Sequence, residues 1–173
     1  VDIPKYARMT IAATQKLKKF MYYISKSVPV KINFSDMARD LELSRDELPK
    51  YLEYLEKAEL VSVLRMKANG DAIHRKMDKL YLQNSNMSYV LSGENPDTGN
   101  ARETIFYCWT KQKYDTVESP VSDFEIDGKT FEVGGRNKGK KQISNLKDAY
   151  VVKDTIEYVF DNQVPLWMFG FLY

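Results

Sequence analysis

Acidic side chains and a lysine-rich loop share one short stretch of the chain, from Ser122 to Ile143, which reads SDFEIDGKTFEVGGRNKGKKQI. Its two alternating runs, DFEI and KTFEV, are joined by Asp127-Gly128, which favours a hairpin because both central residues of a type I′ turn need a positive φ. Such a turn fixes the register and places Asp123 opposite Glu132. Opposed residues have Cβ atoms about 4.5–5.5 Å apart, so these carboxylates repel unless a cation lies between them or one keeps its proton.

The pairing of two carboxylates predicts a site for a hard cation. Mg²⁺ binds one or two carboxylates and fills its other positions with water. Because side chains alternate along a strand, the hairpin has an apolar face and an acidic face. The apolar face carries Phe124, Ile126, Phe131 and Val133, and the acidic face carries Asp123, Glu125 and Glu132. The simpler interpretation, which the hairpin alone favours, is a solvated acidic face without an ion.

Composition excludes several classes of site. The chain has 173 residues, 43% hydrophobic and 29% charged, which is typical of a soluble globular protein with one or two small domains. Cys108 is the only cysteine and His74 the only histidine, which excludes an intrachain disulfide and an ordinary Cys/His zinc site and fits a cytoplasmic location. No apolar run reaches membrane-spanning length, so we expect no membrane partner. The chain opens at Val1 without a methionine, as expected of a fragment or of a chain that has lost a tag.

The first half of the chain predicts three helices. Apolar residues at helical spacing indicate a helix from about Thr10 to Ser27. Asn33 is expected to cap a short second helix. The third helix has two alternative caps: Ser44 with Glu47 as a capping box, or Asp46.

A predicted strand LVSVLRM, a turn at Asn69-Gly70 and the apolar run KLYL follow, so residues 1–82 are expected to form a winged helix-turn-helix domain. The third helix carries more glutamates than a helix entering the major groove should have. We therefore favour a protein-docking or spacer role over DNA contact, with His74 solvated. The candidates for nucleic-acid binding in the predicted wing are Arg65, Lys67, Arg75 and Lys76.

Residues 83–173 predict a second domain. A short element near Met87, a turn-rich loop and the helix ARETIFYCWTKQ come first, and Glu103 is expected in the first turn of that helix, where it complements the helix dipole. Strands are predicted at Thr116-Val117, in the hairpin, at Ala149–Lys153 and at Ile156–Phe160. The aromatic end VPLWMFGFLY is expected to pack in the core or to form a partner surface.

The loop after the hairpin is close to a nucleotide-binding motif. Gly134 to Lys141 reads G-x-x-x-x-G-K-K, but a P-loop needs Ser or Thr after its lysine to bind Mg²⁺ through the hydroxyl. We therefore interpret it as a solvated basic loop, or as a phosphate-facing patch. In the second case Lys140 and Lys141 would be further nucleic-acid-binding residues.

The winged-helix pattern, the helix with Arg102-Glu103, FEVGGRNKGKKQI and LWMFGFLY together resemble the C-terminal half of a large prokaryotic family of predicted AAA+ ATPases. In that family a P-loop ATPase domain precedes a winged helix, and a domain similar to the PD-(D/E)XK restriction-endonuclease-like fold closes the chain. The resemblance implies an α+β chain in which a winged helix-turn-helix is followed by a restriction-endonuclease-like α/β domain with a mixed sheet. It also implies an N-terminal ATPase domain as a partner in the same protein, and ATP as a cofactor of the full-length protein only.

The resemblance also assigns roles to individual residues. Asp123 and Glu132 match the two acids of the nuclease motif and its metal ligands, Glu103 matches an acid of the preceding helix, and Gln142 matches a polar position on the following helix. The motif needs Glu-x-Lys, and this chain has Glu132-Val133-Gly134, so Arg136 or Lys138 would have to supply the lysine's function.

The interpretation we favour from the sequence is a non-catalytic module that binds nucleic acid or a protein partner. The first alternative is a Mg²⁺-dependent DNA phosphodiesterase, and the second is a winged-helix transcriptional regulator. In the phosphodiesterase, the catalytic residues would be Asp123, Glu132, Glu103, Arg136 and Lys138.

Overall fold

The structure is a computed structural model that describes residues 2–67, 77–93, 97–139 and 143–172, without the side chains of Asp2 and Asp78. It is a mixed α+β fold with two sheets, as predicted at that level. The helices are α1 (Asp2–Tyr6), α2 (Ile11–Ser27), α3 (Phe34–Asp40), α4 (Glu47–Lys57), α5 (Asn86–Ser92), α6 (Thr98–Thr110) and a final 3-10 helix (Leu166–Phe171). The strands are β1 (Val30–Lys31), β2 (Val61–Arg65), β3 (Met77–Leu82), β4 (Val117–Glu118), β5 (Phe124–Ile126), β6 (Lys129–Gly134), β7 (Ala149–Lys153) and β8 (Gln163–Pro165).

The chain forms two compact units. The first comprises Val1–Val63 with Lys79–Pro96, and the second comprises Leu64–Asp78 with Asp97–Tyr173. The predicted division between residues 82 and 83 stays a prediction. The predictions for Asn69-Gly70, His74, Arg75, Lys76, Lys140, Lys141 and Gln142 concern positions outside the described residues.

The first unit is built around α2, whose predicted extent is confirmed. The Thr10 hydroxyl accepts from the Ala13 amide at 3.1 Å and caps the helix. Leu17, Phe20 and Ile24 are buried along one face, and each such side chain contributes about 1.5–3 kcal/mol on leaving water. Asn33 caps α3, as predicted. A three-stranded sheet of order β1-β3-β2 completes the unit, and its short first strand was not predicted.

The cap of α4 is the Ser44–Glu47 capping box. The Ser44 amide donates to Glu47 Oε2 at 2.9 Å, and the Glu47 amide donates to Ser44 Oγ at 3.1 Å. Asp46 makes no side-chain capping bond. Of the two predicted alternatives, the reciprocal pair is therefore the one that forms.

The capping box predicts a pH dependence of stability. Hydrogen bonds from the backbone and side chain of Ser44, with a smaller effect of the nearby Lys16 charge, lower the pKa of Glu47 below its usual 4.5. A lowered folded-state pKa adds stability above the unfolded-state value, and that stability is lost as the pH falls through the folded value. Urea unfolding should therefore show a steeper loss of stability below pH 4.5 in the wild type than in Glu47→Gln. Equal slopes in the two proteins would contradict this prediction.

The second unit contains a mixed five-stranded sheet of order β4-β5-β6-β7-β8. The β4–β5 and β5–β6 pairs are antiparallel, while β6–β7 and β7–β8 are parallel. The predicted hairpin register is confirmed, with Phe124 opposite Phe131. Asp127 and Gly128 have φ values of 49° and 77°, as the predicted turn requires.

Aromatic side chains pack α6 onto one face of this sheet. The Phe106 ring centroid lies 5.1 Å from that of Phe124, 5.5 Å from Phe131 and 4.7 Å from Phe169 of the 3-10 helix. On the other face, Ile143 clusters with Ala149 and Val151 of β7. Both faces of the sheet are therefore covered. In the aromatic end, Phe169 packs on Phe106, as the core alternative predicts, while Trp167 and Phe171 are exposed. That these exposed residues form a partner surface stays a prediction.

Two local predictions for this unit are wrong. Residues 156–160 do not form a strand: Tyr158, Val159 and Phe160 are exposed, and the last strand is Gln163–Pro165. The apolar and polar residues of this segment alternate as in a strand, but the chain turns directly after it, at Asp161, which has a φ of 52°. Glu103 is not in the first turn of α6, since that helix begins at Thr98 behind the capping residue Asp97, and the first turn contains no acid.

Within the described ranges, no helix has the length and the apolar character needed to cross a membrane.

Candidate active site

Glu132 lies in the middle strand of the mixed sheet and is only 1% exposed. The predicted solvated acidic face is therefore wrong. Val151 of β7 pairs directly with Glu132, and Ile143 clusters with Val151, so parts of the chain that come after the hairpin lie beside Glu132. A short amphipathic hairpin cannot reveal that later residues will surround its polar face.

Asp123 lies next to Glu132, as the hairpin register predicts. Extending the observed pairing by one residue places the two acids opposite each other. Asp123 Oδ2 accepts from the Val133 amide at 2.7 Å, which fixes the Asp123 carboxylate against β6. The two acids that resemble those of the nuclease motif are thus brought together.

The buried Glu132 carboxylate has a protein partner on each oxygen. Lys138 Nζ lies 2.5 Å from Oε1, and the Ser122 hydroxyl hydrogen-bonds to Oε2. Buried charges need such compensation, because removal from water costs several kcal/mol per ion. Ser122 is a residue that the sequence analysis missed, and only its position beside Asp123 pointed to it.

Lys138 reaches Glu132 by occupying the space above Gly134. A Cβ atom built on Gly134 would lie 2.5 Å from Lys138 Cβ and 2.7 Å from its Cδ, and closer still to its Cγ. The lysine stem therefore fills the volume in which a side chain at position 134 would begin. Because Gly134 is the third residue of Glu132-Val133-Gly134, the stem of Lys138 lies where the lysine side chain of a Glu-x-Lys motif would start, and its ammonium reaches Glu132.

The charges around Lys138 keep it protonated. Burial of its ammonium acts to lower the pKa, but the hydrogen bond to Glu132 and the negative charges of Asp123, Glu132 and Glu103 outweigh burial and raise the pKa above 10.5. Glu103, on α6, is thus close enough for its charge to act on Lys138. Lys138 is consequently a fixed cation and hydrogen-bond donor at neutral pH.

Arg136, the other candidate for the missing lysine, is placed differently. It is exposed, and its carbonyl oxygen accepts from Lys153 Nζ at 3.4 Å. Of the two predicted substitutes, Lys138 is therefore the one that the structure brings to Glu132.

Asp123 and Glu132 could together hold a hydrated hard cation. Among the residues that the structure describes, no three His, Cys, Asp or Glu side chains form a metal-binding group. Two carboxylates are nevertheless sufficient for Mg²⁺, which keeps several of its waters. Each carboxylate oxygen has two lone pairs, so an oxygen that accepts one hydrogen bond can also bind a cation.

The predicted nucleic-acid-binding residues do not gather at one described surface. Lys67 forms an ion pair with Glu125 of β5, whose side chain is only 12% exposed. Arg65 ends β2 and is partly buried. Arg75, Lys76, Lys140 and Lys141 fall outside the described residues.

The buried position of Cys108 predicts that its thiol reacts slowly with alkylating reagents. Cys108 is 7% exposed, and desolvation by burial raises the pKa of its thiol to about 12. Because the thiolate is the reactive form, iodoacetamide at pH 8 should label Cys108 slowly in the native chain and rapidly in urea. Mass spectrometry of the labelled chain measures both rates, and equal rates would contradict the buried placement.

Residues 1–98 match the family model described as "Domain of unknown function (DUF8612)". The chain belongs to this family. No curated protein and no solved structure matches the chain. Because Glu103, Asp123, Glu132 and Lys138 all lie beyond the matched residues, the family gives no information on this site.

Proposed function

We propose that the second unit is a Mg²⁺-dependent phosphodiesterase acting on DNA, in which Lys138 takes the role of the lysine in the PD-(D/E)XK motif. One observation carries the proposal: the Lys138 stem fills the space above Gly134 and its Nζ lies 2.5 Å from Glu132 Oε1. A buried charged cluster is costly to maintain and adds little net stability, which favours a chemical role for it.

Each residue then has a defined task. Asp123 and Glu132 would hold Mg²⁺, which supplies Lewis acidity and a bound water of lowered pKa. Lys138 orients the attacking water and neutralises charge that develops on the phosphate oxygens. Its raised pKa means that Lys138 acts as a cation and not as the general base. The charge of Glu103 adds a smaller contribution that also favours the protonated form of Lys138.

The architecture supports the proposal at the level of the fold. In the second unit, α6 precedes an antiparallel β4-β5-β6 meander, and β7 then joins β6 in parallel, an order similar to that of restriction-endonuclease-like domains. In the first unit, α2, α3 and α4 with the β1-β3-β2 sheet are consistent with a winged helix-turn-helix. We propose on this basis that the chain is the C-terminal region of a cytoplasmic AAA+ ATPase whose N-terminal domain binds ATP.

A cleavage assay with matched variants tests this function. Labelled single- and double-stranded DNA is incubated with the chain in Mg²⁺ or Mn²⁺ and without metal. Cleavage should require the metal and fall at least about 100-fold in Asp123→Asn and Glu132→Gln. Glu125→Gln is the control, because this acid lies on the same hairpin but pairs with Lys67. Absence of cleavage, or equal rates in Glu132→Gln and Glu125→Gln, would refute the proposal.

The second candidate is a non-catalytic module that binds DNA or a protein partner. It is favoured by the observation that both Glu132 oxygens already have protein partners, Lys138 and Ser122, so the carboxylate is compensated without an ion. A DNA-binding module, including a winged-helix regulator, predicts salt-sensitive binding that weakens when Arg75 and Lys76 are neutralised. A protein-docking module predicts neither that effect nor metal-dependent cleavage.

A further inference from the structure

Lys138 is carried by a tight turn that follows β6. The Lys138 amide donates to the Gly135 carbonyl at 3.0 Å, which closes the turn and directs the side chain back over Gly134. A lysine stem has four rotatable bonds, so the position of its ammonium depends on how firmly this turn is held.

Two side chains from neighbouring elements hold the turn. A Cβ atom built on Gly135 would lie 3.0 Å from Arg102 Cζ and Nη1, so the guanidinium of Arg102 lies directly against this glycine. On β7, Lys153 Nζ donates to the Arg136 carbonyl at 3.4 Å. The turn is thus contacted from α6 and from β7.

Asp154 orients the guanidinium of Arg102. Arg102 Nε lies 2.5 Å from Asp154 Oδ2, and Asp154 directly follows β7. Arginine is suited to this arrangement, because its planar group donates to the carboxylate while its remaining surface packs on the backbone. Gly135 permits the close approach, since any larger residue would place its Cβ against the guanidinium.

We propose that Arg102 and Asp154 are positioning residues, which pin the Gly135–Lys138 turn and thereby set the place of the Lys138 ammonium at Glu132. The catalytic consequence rests on the proposed function, whereas the positioning itself does not. A partly exposed ion pair adds little to stability, so a merely structural role predicts the same small effect as loss of any other such pair in the unit.

The test is an NMR measurement on the full chain, with cleavage as a second readout. A nuclear Overhauser contact between the Gly134 Hα and the Lys138 methylene protons reports the stem in place, and contacts among the Phe106 and Phe131 rings report that the unit is folded. Arg102→Ala and Asp154→Ala should lose the first contact and keep the second. Lys67→Ala is the matched control, because it removes another ion pair of the same unit and should keep both.

Further outcomes separate this inference from the proposed function. If the chain cleaves DNA, Arg102→Ala should lower kcat by about 10- to 100-fold and leave KM nearly unchanged, as expected for a misplaced group. If the chain does not cleave DNA, the nuclear Overhauser contact between Gly134 and Lys138 still tests whether Arg102 and Asp154 hold the turn. Gly135→Ala keeps every charge and places a methyl group against the guanidinium of Arg102, so it should also weaken the nuclear Overhauser contact between Gly134 and Lys138. This variant tests the inference even if Arg102→Ala does not fold. Retention of that contact in Arg102→Ala or in Gly135→Ala, or its loss in Lys67→Ala, would overturn the inference.

Discussion

Lys138→Ala should lower the rate of Mg²⁺-dependent DNA cleavage by about 10²–10³-fold, and the double variant Gly134→Lys with Lys138→Gly should restore much of that loss. The single change removes the cation that contacts Glu132 Oε1. In the double variant, the lysine at position 134 starts in the space that the whole side chain of Lys138, its Cβ included, has vacated. Gly134 lies in β6 and does not have a positive φ, so a lysine fits its backbone conformation.

Initial rates of cleavage at saturating Mg²⁺ measure this effect, and far-ultraviolet circular dichroism confirms that the variants fold. Lys129→Ala is the matched control, because this exposed lysine at the start of β6 belongs to the same hairpin. It should cleave DNA at the wild-type rate. Wild-type activity in Lys138→Ala, or a double variant no more active than the single one, would show that Lys138 does not replace the motif lysine.

Gly134→Ala should destabilise the second unit, although the same change at an unconstrained strand glycine is slightly stabilising. The new methyl group would lie 2.5 Å from Lys138 Cβ and 2.7 Å from its Cδ, so the lysine stem has to leave. Glu132, only 1% exposed, then loses its cationic partner. Breaking a fully buried pair costs about 3–5 kcal/mol, and because Lys138 is 36% exposed we expect a smaller loss of roughly 1–2 kcal/mol.

Urea unfolding of Gly134→Ala and Gly139→Ala compares the same substitution at the end of β6 and in the segment that follows it. A Cβ atom on Gly139 meets no heavy atom within 4 Å, so that variant should unfold at nearly the wild-type urea concentration. Equal midpoints for the two variants would mean that the Lys138 stem does not occupy the space above Gly134.

Local features of both units were predictable from the sequence because neighbouring residues determine them. The Asp127-Gly128 turn fixes the hairpin register, and the register alone pairs Asp123 with Glu132. Helix α2 follows from the spacing of its apolar residues and from Thr10, and the cap of α4 was one of two local alternatives.

The burial of Glu132 and the placement of Lys138 depend on contacts between separate parts of the chain, which the sequence pattern does not reveal. Glu132 is buried between Val151 of β7, which pairs with it, and Lys138, which contacts its carboxylate, and both come later in the chain. Lys138 lies six positions after Glu132, and no periodicity predicts that a turn returns it to position 134. The pair Gly134-Gly135 was the available signal, since consecutive glycines indicate that other atoms approach the backbone closely.

A calorimetric titration of the chain with Mn²⁺, in wild type and in Glu132→Gln, tests the proposed cation site most directly. Mn²⁺ accepts the same carboxylate and water ligands as Mg²⁺. We predict saturable binding at one site in the wild type and none in Glu132→Gln. Absence of binding heat in the wild type, or equal binding in both proteins, would contradict the assignment of Asp123 and Glu132 as a metal-binding pair.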